Sequence, residues 1–179
     1  MSHKKIAYTA AFGMLWGFSE LFIGTWLHLL HIPMSGSILA AAGVWIILVG
    51  LKYIPGKARG SLLGMGVVCA SVKFISLGMV PKPNIYISIM AEAFLAETGI
   101  FAGGRKPAGY MLAGALAMLW PPFSRAVATG VLLGGDYLEF IRRAGLEGSL
   151  LAAVLVIGAV HMVIGALAGL AAWRFRDER

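Results

Sequence analysis

Six long apolar segments constrain the fold of this chain more than any other feature. Each is close to the length, about 20 mainly apolar residues, that a helix needs to cross a lipid bilayer. Glycine, proline and charged residues punctuate the stretches between them. The segments cover roughly 6–28, 36–53, 59–80, 84–102, 107–133 and 148–173.

The composition supports a chain that lies in lipid along its whole length. Hydrophobic residues make up 59% of the 179 residues and charged residues only 13%, and the mean hydropathy is +0.84. A soluble domain of this size would need more polar residues to cover its surface. The sequence therefore predicts one all-α transmembrane domain over residues 1–179, a polytopic bundle of about six helices, with no separate soluble domain.

The basic residues of the turns predict the orientation of the bundle. The formal charge is +7, from 15 Lys and Arg against 8 Asp and Glu, and cytoplasmic loops carry an excess of Lys and Arg. With six spans, ten basic residues fall on one side and three on the other. The ten are Lys4, Lys5, Lys52, Lys57, Arg59, Arg105, Lys106, Arg174, Arg176 and Arg179, and the three are Lys82, Arg142 and Arg143. Both termini are therefore expected in the cytoplasm, in a multi-pass protein of the cell membrane.

The first helix has two distinct sides. Small residues and one carboxylate share the first side, which predicts close packing against a neighbouring helix with Glu20 directed into the bundle. These residues are Ala10, Gly13, Gly17, Glu20 and Gly24.

Ala7 and Ala11 lie on the second side, which Met14, Phe18 and Phe22 continue. This side either meets lipid or, because two alanines one turn apart admit a second helix, docks a partner.

Ionisable residues inside the apolar segments are the candidates for function. A charge at the centre of a bilayer is costly, so such side chains are expected to face the interior and to be paired, hydrated or bound to ligand. From depth and facing, the candidate substrate-binding residues are Glu20, Lys73, Asn84, Glu92, Arg125 and His161. Two interpretations stay open: Lys73 and Arg125 neutralise the two glutamates as buried ion pairs, or these groups line a polar cavity that binds a ligand.

Other features have simpler interpretations. His161 alone is more typical of a hydrogen bond between helices than of a metal ligand, and Glu97 is expected to cap a helix end or to pair with Arg105 or Lys106. Gly60-x-x-x-Gly64 and Gly165-x-x-x-Gly169 predict packing contacts between helices.

Motifs for catalysis and energy supply are missing from the sequence. It contains no nucleotide-binding loop, no His-Glu-x-x-His and no Gly-x-Ser-x-Gly. Cys69 is the only cysteine, which excludes an internal disulfide and a cysteine-cluster metal site. We therefore expect no catalytic residues, no cofactor and no resident metal. Six spans with a polar pocket and no source of energy indicate a capture subunit that depends on a partner.

The chain resembles the substrate-binding S component of an energy-coupling factor (ECF) transporter in length, span count and cytoplasmic termini. Its most local match is Ala7-Tyr-Thr-Ala-Ala11, similar to the Ala-x-x-x-Ala pattern on the first helix of that family, followed by Glu20 and a Pro-containing loop at Ile32-Pro33. The resemblance implies that Ala7 and Ala11 dock on a transmembrane coupling subunit carrying two cytoplasmic ATPases. It also implies a ligand site near the outer face beneath loops 29–35, 80–84 and 134–147.

The resemblance leaves the ligand open, because subgroups of the family use different residues. Members that bind nickel or cobalt use an N-terminal Met-His segment, whereas His3 is out of that register. Two cations and two carboxylates fit a vitamin or related polar molecule with an anionic or zwitterionic group. The alternatives are a structural or assembly subunit of a membrane complex, an intramembrane enzyme and an autonomous proton-coupled carrier.

Overall fold

A computed structural model of the chain describes residues 3–32, 34–55, 59–76, 78, 83–125, 139, 142–143 and 150–175. Six α-helices and no strand are found over these residues, which confirms the all-α prediction. The helices are α1 His3–Leu29, α2 Ser35–Tyr53, α3 Ser61–Ser76, α4 Pro83–Gly103, α5 Pro107–Arg125 and α6 Leu150–Arg174.

Most helix ends lie close to the positions that hydropathy predicts. The clearest difference is the end of α3, which was expected to continue to residue 80 but ends at Ser76. Gly78 follows in a turn with a φ of 65°, a conformation in which glycine commonly ends a helix. Pro121 and Pro122 both lie inside α5, which runs on to Arg125. The remainder of the fifth predicted segment, residues 126–133, lies outside the described residues.

Four of the helices are long and apolar enough to cross a membrane. They are His3–Leu27 within α1, all of α2, all of α4 and Val154–Arg174 within α6, whereas α3 is a shorter apolar helix. Large apolar side chains are exposed on the outside of the bundle, among them Phe22 at 67% and Phe101 at 73%. An apolar outer surface of this kind suits lipid rather than water, so the fold is consistent with a multi-pass membrane protein.

The helices pack in a closed order in which each contacts its neighbours. Going round the bundle the order is α1, α2, α6, α5, α4, α3 and back to α1, and α2 also contacts α5. Of the four long apolar helices α2 is the most buried, with Val44, Ile47 and Leu51 in the core. The centre of the bundle is therefore apolar.

Backbones touch where α5 meets both of its neighbours. Gly165 and Gly169 of α6 lie against the backbone of Gly114 and Tyr110 in α5, and Gly99 of α4 lies against the backbone of Ala113. A side chain at any of these glycines would collide with main-chain atoms that cannot rotate away. The packing role predicted for Gly165 and Gly169 is confirmed, and α4, α5 and α6 form one tightly joined unit.

The second predicted glycine pair is only half right. A Cβ added to Gly64 would lie 2.8 Å from the Cγ2 atom of Thr9, so Gly64 does pack against α1. Gly60 has nothing within 4 Å of its added Cβ and a φ of 74°. The prediction for Gly60 was wrong because this residue forms the turn that leads into α3, where a positive φ favours glycine.

Candidate functional site

The glycine face of α1 brings Glu20 against α3. A Cβ on Gly13 would lie 2.7 Å from the Val68 Cβ, and one on Gly17 would lie 2.8 Å from the Val72 Cβ. Because these glycines have no side chains, α1 and α3 approach closely along two turns. Glu20 follows Gly17 by one turn on the same face, so its carboxylate points to the α3 side as the sequence predicts.

Glu20 forms an ion pair with Lys73 of α3. The distance from Lys73 Nζ to Glu20 Oε2 is 3.2 Å, and the two side chains are 13% and 16% exposed respectively. Charged groups removed from water this far depend on each other, since either one alone would be left uncompensated. One of the two ion pairs considered from the sequence is therefore present.

Glu92 of α4 lies deep in the same region. It is 7% exposed, and the adjacent Ala93 packs against Gly66 of α3, where an added Cβ would lie 2.7 Å from the Ala93 Cβ. Glu92 lies within electrostatic range of Glu20. Within the described part of the chain, no residue gives Glu92 a hydrogen bond or an ion pair.

Cys69 of α3 connects these groups. It is fully buried and lies within electrostatic range of Glu20, Lys73 and Glu92. We call Glu20, Cys69, Lys73 and Glu92 the charged cluster. It joins three helices, α1, α3 and α4, and contains two carboxylates and one ammonium group.

His161 lies elsewhere, at the contact between α6 and α2. It is 2% exposed, with Nδ1 2.8 Å from the Ile157 carbonyl oxygen and Nε2 2.9 Å from Ser37 Oγ. The carbonyl can only accept, so Nδ1 donates to it, and in the neutral ring Nε2 accepts from the Ser37 hydroxyl. Nδ1 is bonded within α6, and Nε2 joins α6 to α2, which is the hydrogen bond between helices that the sequence favours over metal binding.

The other two candidate residues lie where α4 begins and α5 ends. The charged cluster is nearer to this end of the bundle than to the opposite one. Asn84 is exposed in the first turn of α4 and lies two turns from Glu92 on the same face. Arg125 is the last residue of α5, and its side chain is outside the described part of the structure. Of the expected lid loops, residues 80–82 and nearly all of 134–147 also lie outside it.

Glu97 caps a helix, as the sequence predicts. Its carboxylate accepts hydrogen bonds from the amides of Leu62 at 3.0 Å and Leu63 at 3.2 Å, and from that of Gly60. These amides begin α3 and have no partners within that helix. A carboxylate at the positive end of a helix is stabilising, so Glu97 belongs to the structure of the bundle and not to the charged cluster.

Basic side chains cap helices at this same end of the bundle. Arg105 donates to the carbonyl oxygens of Ile54, at 2.9 Å, and Leu51 at the end of α2. Lys52 donates to those of Trp173, at 2.9 Å, and Phe175 at the end of α6. We call this end, where α1, α3 and α5 begin and α2, α4 and α6 end, the basic end. The sequence indicated Lys52 only as a signal of orientation, and Arg105 also as a candidate partner of Glu97.

The second side of α1 is exposed along its length. Ala7 and Ala11 are both exposed, and Met14, Phe18 and Phe22 are 43%, 48% and 67% exposed. The two alanines lie nearer the basic end. The surface is therefore apolar and largely uncovered by the rest of the described bundle.

Comparison with known proteins gives no relative from which a role could be transferred: no protein-family model, curated protein or solved structure matches the chain. Among the described residues, no group of three His, Cys, Asp or Glu side chains is placed to hold a metal ion. The charged cluster and the exposed face of α1 are the two features of the described residues that point to a function.

Ser37 is the residue that sequence reasoning missed. A serine near the start of an apolar helix is unremarkable by itself, and its importance comes from the buried imidazole 124 positions away. The available signal was His161, a polar group in an apolar helix that needs a partner. Nothing in the sequence indicates which helix supplies it.

Proposed function

We propose that the chain is the membrane-embedded substrate-capture subunit of an ATP-driven importer of the ECF type. It crosses the cell membrane six times with both termini in the cytoplasm, and takes up a vitamin or a related small polar organic molecule. The observation that carries the proposal is the charged cluster, which is enclosed in a bundle whose outer surface is apolar. Ionisable groups are retained at such positions mainly for function, because their burial is costly.

The position of the cluster fits a ligand that enters from the outer face. Glu20 and Lys73 lie in the halves of α1 and α3 away from the basic end, which we assign to the cytoplasm. Asn84 and Arg125 lie nearer still to the outer face, where they would border the entrance. Glu92 lies near the middle of α4 and would form the inner boundary of the pocket. In this proposal His161 supports the pocket from the α2–α6 contact.

The exposed face of α1 supports the proposed docking. Ala7 and Ala11 leave a shallow apolar surface near the basic end, where a helix of a transmembrane coupling subunit could approach closely. The sequence carries no nucleotide-binding loop, so ATP hydrolysis is assigned to cytoplasmic partner subunits. The protein itself binds and presents the substrate and is not an enzyme.

One observation favours a second candidate, a structural or assembly subunit of a membrane complex. Glu20 and Lys73 already neutralise each other at 3.2 Å, so this pair needs no ligand to exist in the membrane. In that case the pair holds α1 to α3, and no small molecule should raise the melting temperature of the protein.

Bulky substitutions on the exposed face of α1 test the capture proposal. A7W and A11W should abolish uptake in cells that contain the coupling and ATPase subunits, while the purified variants retain substrate binding. The matched control is L167W, because Leu167 is 59% exposed on α6 and its replacement should leave uptake unchanged. Both alanine variants should also lose co-purification with the coupling subunit. If A7W and A11W transport as well as the wild type, α1 does not dock in the proposed way.

A further inference from the structure

Glu92 has no counter-charge among the residues that the structure describes. Building on the proposed function, we infer that the captured molecule carries a positively charged nitrogen and that Glu92 is the residue that binds it. The ligand class is thus an organic cation, either a protonated amine or a charged heteroaromatic ring. The sequence alone favoured a ligand with an anionic or zwitterionic group, because Lys73 and Arg125 both lie in the outer halves of their segments.

The charges of the cluster give the sign of the ligand. Lys73 is the one cation among the cluster residues and is bound to Glu20. Glu20 and Lys73 neutralise each other, which leaves Glu92 as the acidic group of the cluster without an opposite charge among the described residues. A ligand with one positive charge would make the site neutral, whereas an anion would add to the repulsion between Glu20 and Glu92.

The burial of Glu92 raises the free-energy cost of leaving it without a partner. At 7% exposure the carboxylate has lost most of its water, and no described residue donates a hydrogen bond to it. A buried polar group without a partner costs free energy that a bound ligand can recover. Glu97, which has a structural role, differs from Glu92 because its carboxylate accepts hydrogen bonds from three backbone amides.

The neighbours of Glu92 suit one cation and discourage two. Cys69 is fully buried and within electrostatic range of Glu92, and its side chain is small, soft and largely apolar. Glu20 is the other carboxylate within electrostatic range of Glu92, and it is already paired with Lys73. Because repulsion from Lys73 opposes a second positive charge, the site is expected to prefer a singly charged molecule over a doubly charged one.

The test uses three charge classes of small molecules and two glutamate variants. A low-molecular-weight cell extract is separated by ion exchange into cationic, neutral and anionic fractions. Each fraction is added to washed, detergent-purified protein, and the shift in melting temperature and the mass of any retained molecule are recorded. The variants are E92Q, which keeps the shape of the side chain without its charge, and E97Q, the matched control on the same helix.

We expect the cationic fraction alone to raise the melting temperature and the retained molecule to contain a charged nitrogen. In E92Q its affinity should fall by about 10- to 100-fold, the loss expected for a charge-assisted hydrogen bond. E97Q should melt at a lower temperature but bind as the wild type does. Ligand-free E92Q should melt at or above the wild-type temperature, because the amide keeps the shape of the side chain and replaces a buried acidic group that has no partner among the described residues.

Four results would overturn the inference. Stabilisation by the anionic or neutral fraction, with uptake still dependent on Ala7 and Ala11, would leave the capture proposal in place but make the charge assignment wrong. A lower melting temperature of ligand-free E92Q would show that Glu92 holds the bundle together through a partner such as Arg125. A shift reproduced by sodium chloride alone would assign the site to an inorganic cation. Absence of any shift, with no uptake, would remove the inference and the proposed function together.

Discussion

The carboxylate of Glu97 on α4 accepts the amide hydrogen of Leu62 at the start of α3, with 3.0 Å between the two heavy atoms. The contact joins residues 35 positions apart and satisfies the first turn of a helix that has no acidic residue of its own there. One side chain of α4 thus caps the start of α3 at the basic end.

Replacing Glu97 by alanine should therefore destabilise the protein. E97A leaves the first amides of α3 without their acceptor and removes a negative charge from the positive end of that helix. We expect a loss of about 2 kcal/mol in the free energy of unfolding. The adjacent variant T98A is the control, because the Thr98 hydroxyl is exposed and donates only within its own helix. Thermal unfolding in detergent measures both, and equal melting temperatures for E97A and wild type would contradict the capping role.

The glycines of α6 should differ sharply in their tolerance of a methyl group. G165A places a Cβ against the backbone of Gly114, which forces α5 and α6 apart and should cost about 3 kcal/mol. G158A places it 3.7 Å from the Leu119 side chain, an ordinary contact, so this variant should remain close to wild type. Thermal unfolding of the two single variants checks the prediction, which requires G165A to be less stable than G158A.

The Glu20–Lys73 pair distinguishes the two candidate functions. K73A leaves Glu20 buried without its partner and should cost about 3 kcal/mol. The double variant E20Q/K73M removes both charges and should recover most of that stability, as replacement of buried ion pairs often does. Under the capture proposal the double variant folds but binds substrate poorly, since the cluster has lost two of its polar groups. Melting temperature and substrate binding are measured together, and normal binding by the double variant would favour the structural role.

The proposed orientation can be checked by labelling single cysteines. Leu30 follows α1 and is 64% exposed, while Lys106 is exposed between α4 and α5 at the basic end. The native Cys69 is fully buried and should give little background. In intact cells a membrane-impermeant maleimide should label L30C and should reach K106C only after the membrane is opened. Labelling in the opposite order would reverse the topology.

Patterns within one helix predicted the structure well. Spacing on α1 indicated that Gly13, Gly17 and Glu20 share a face and that Ala7 lies on another, because about 100° per residue fixes angular positions. Hydropathy gave nearly all helix ends, because glycine, proline and charged residues interrupt the apolar segments there. Glu97 was expected at a helix end rather than with Glu92, from the angle between the two residues.

Relations between helices were not predictable in the same way. The sequence does not show that Ser37 meets His161 or that Arg105 caps α2, since each depends on which helices are neighbours and at what height. Gly60 matched a packing pattern, yet its backbone forms a turn. The pairing of Lys73 with Glu20 was one of two open interpretations, and only the three-dimensional arrangement separates this neutral pair from Glu92, which has no counter-charge among the described residues.

The glycine contacts between α4, α5 and α6 have a mechanical consequence. Side chains in an ordinary interface can change rotamer and so allow one helix to slide past another. Where Gly165 meets Gly114 and Gly99 meets Ala113, main chain lies directly on main chain, and no rotamer is available to absorb a displacement. These three helices should therefore reorient as a single rigid piece. If these helices tilt in a bilayer, the energetic cost falls on the surrounding lipid, so the thickness and fluidity of the membrane are expected to control how readily they tilt.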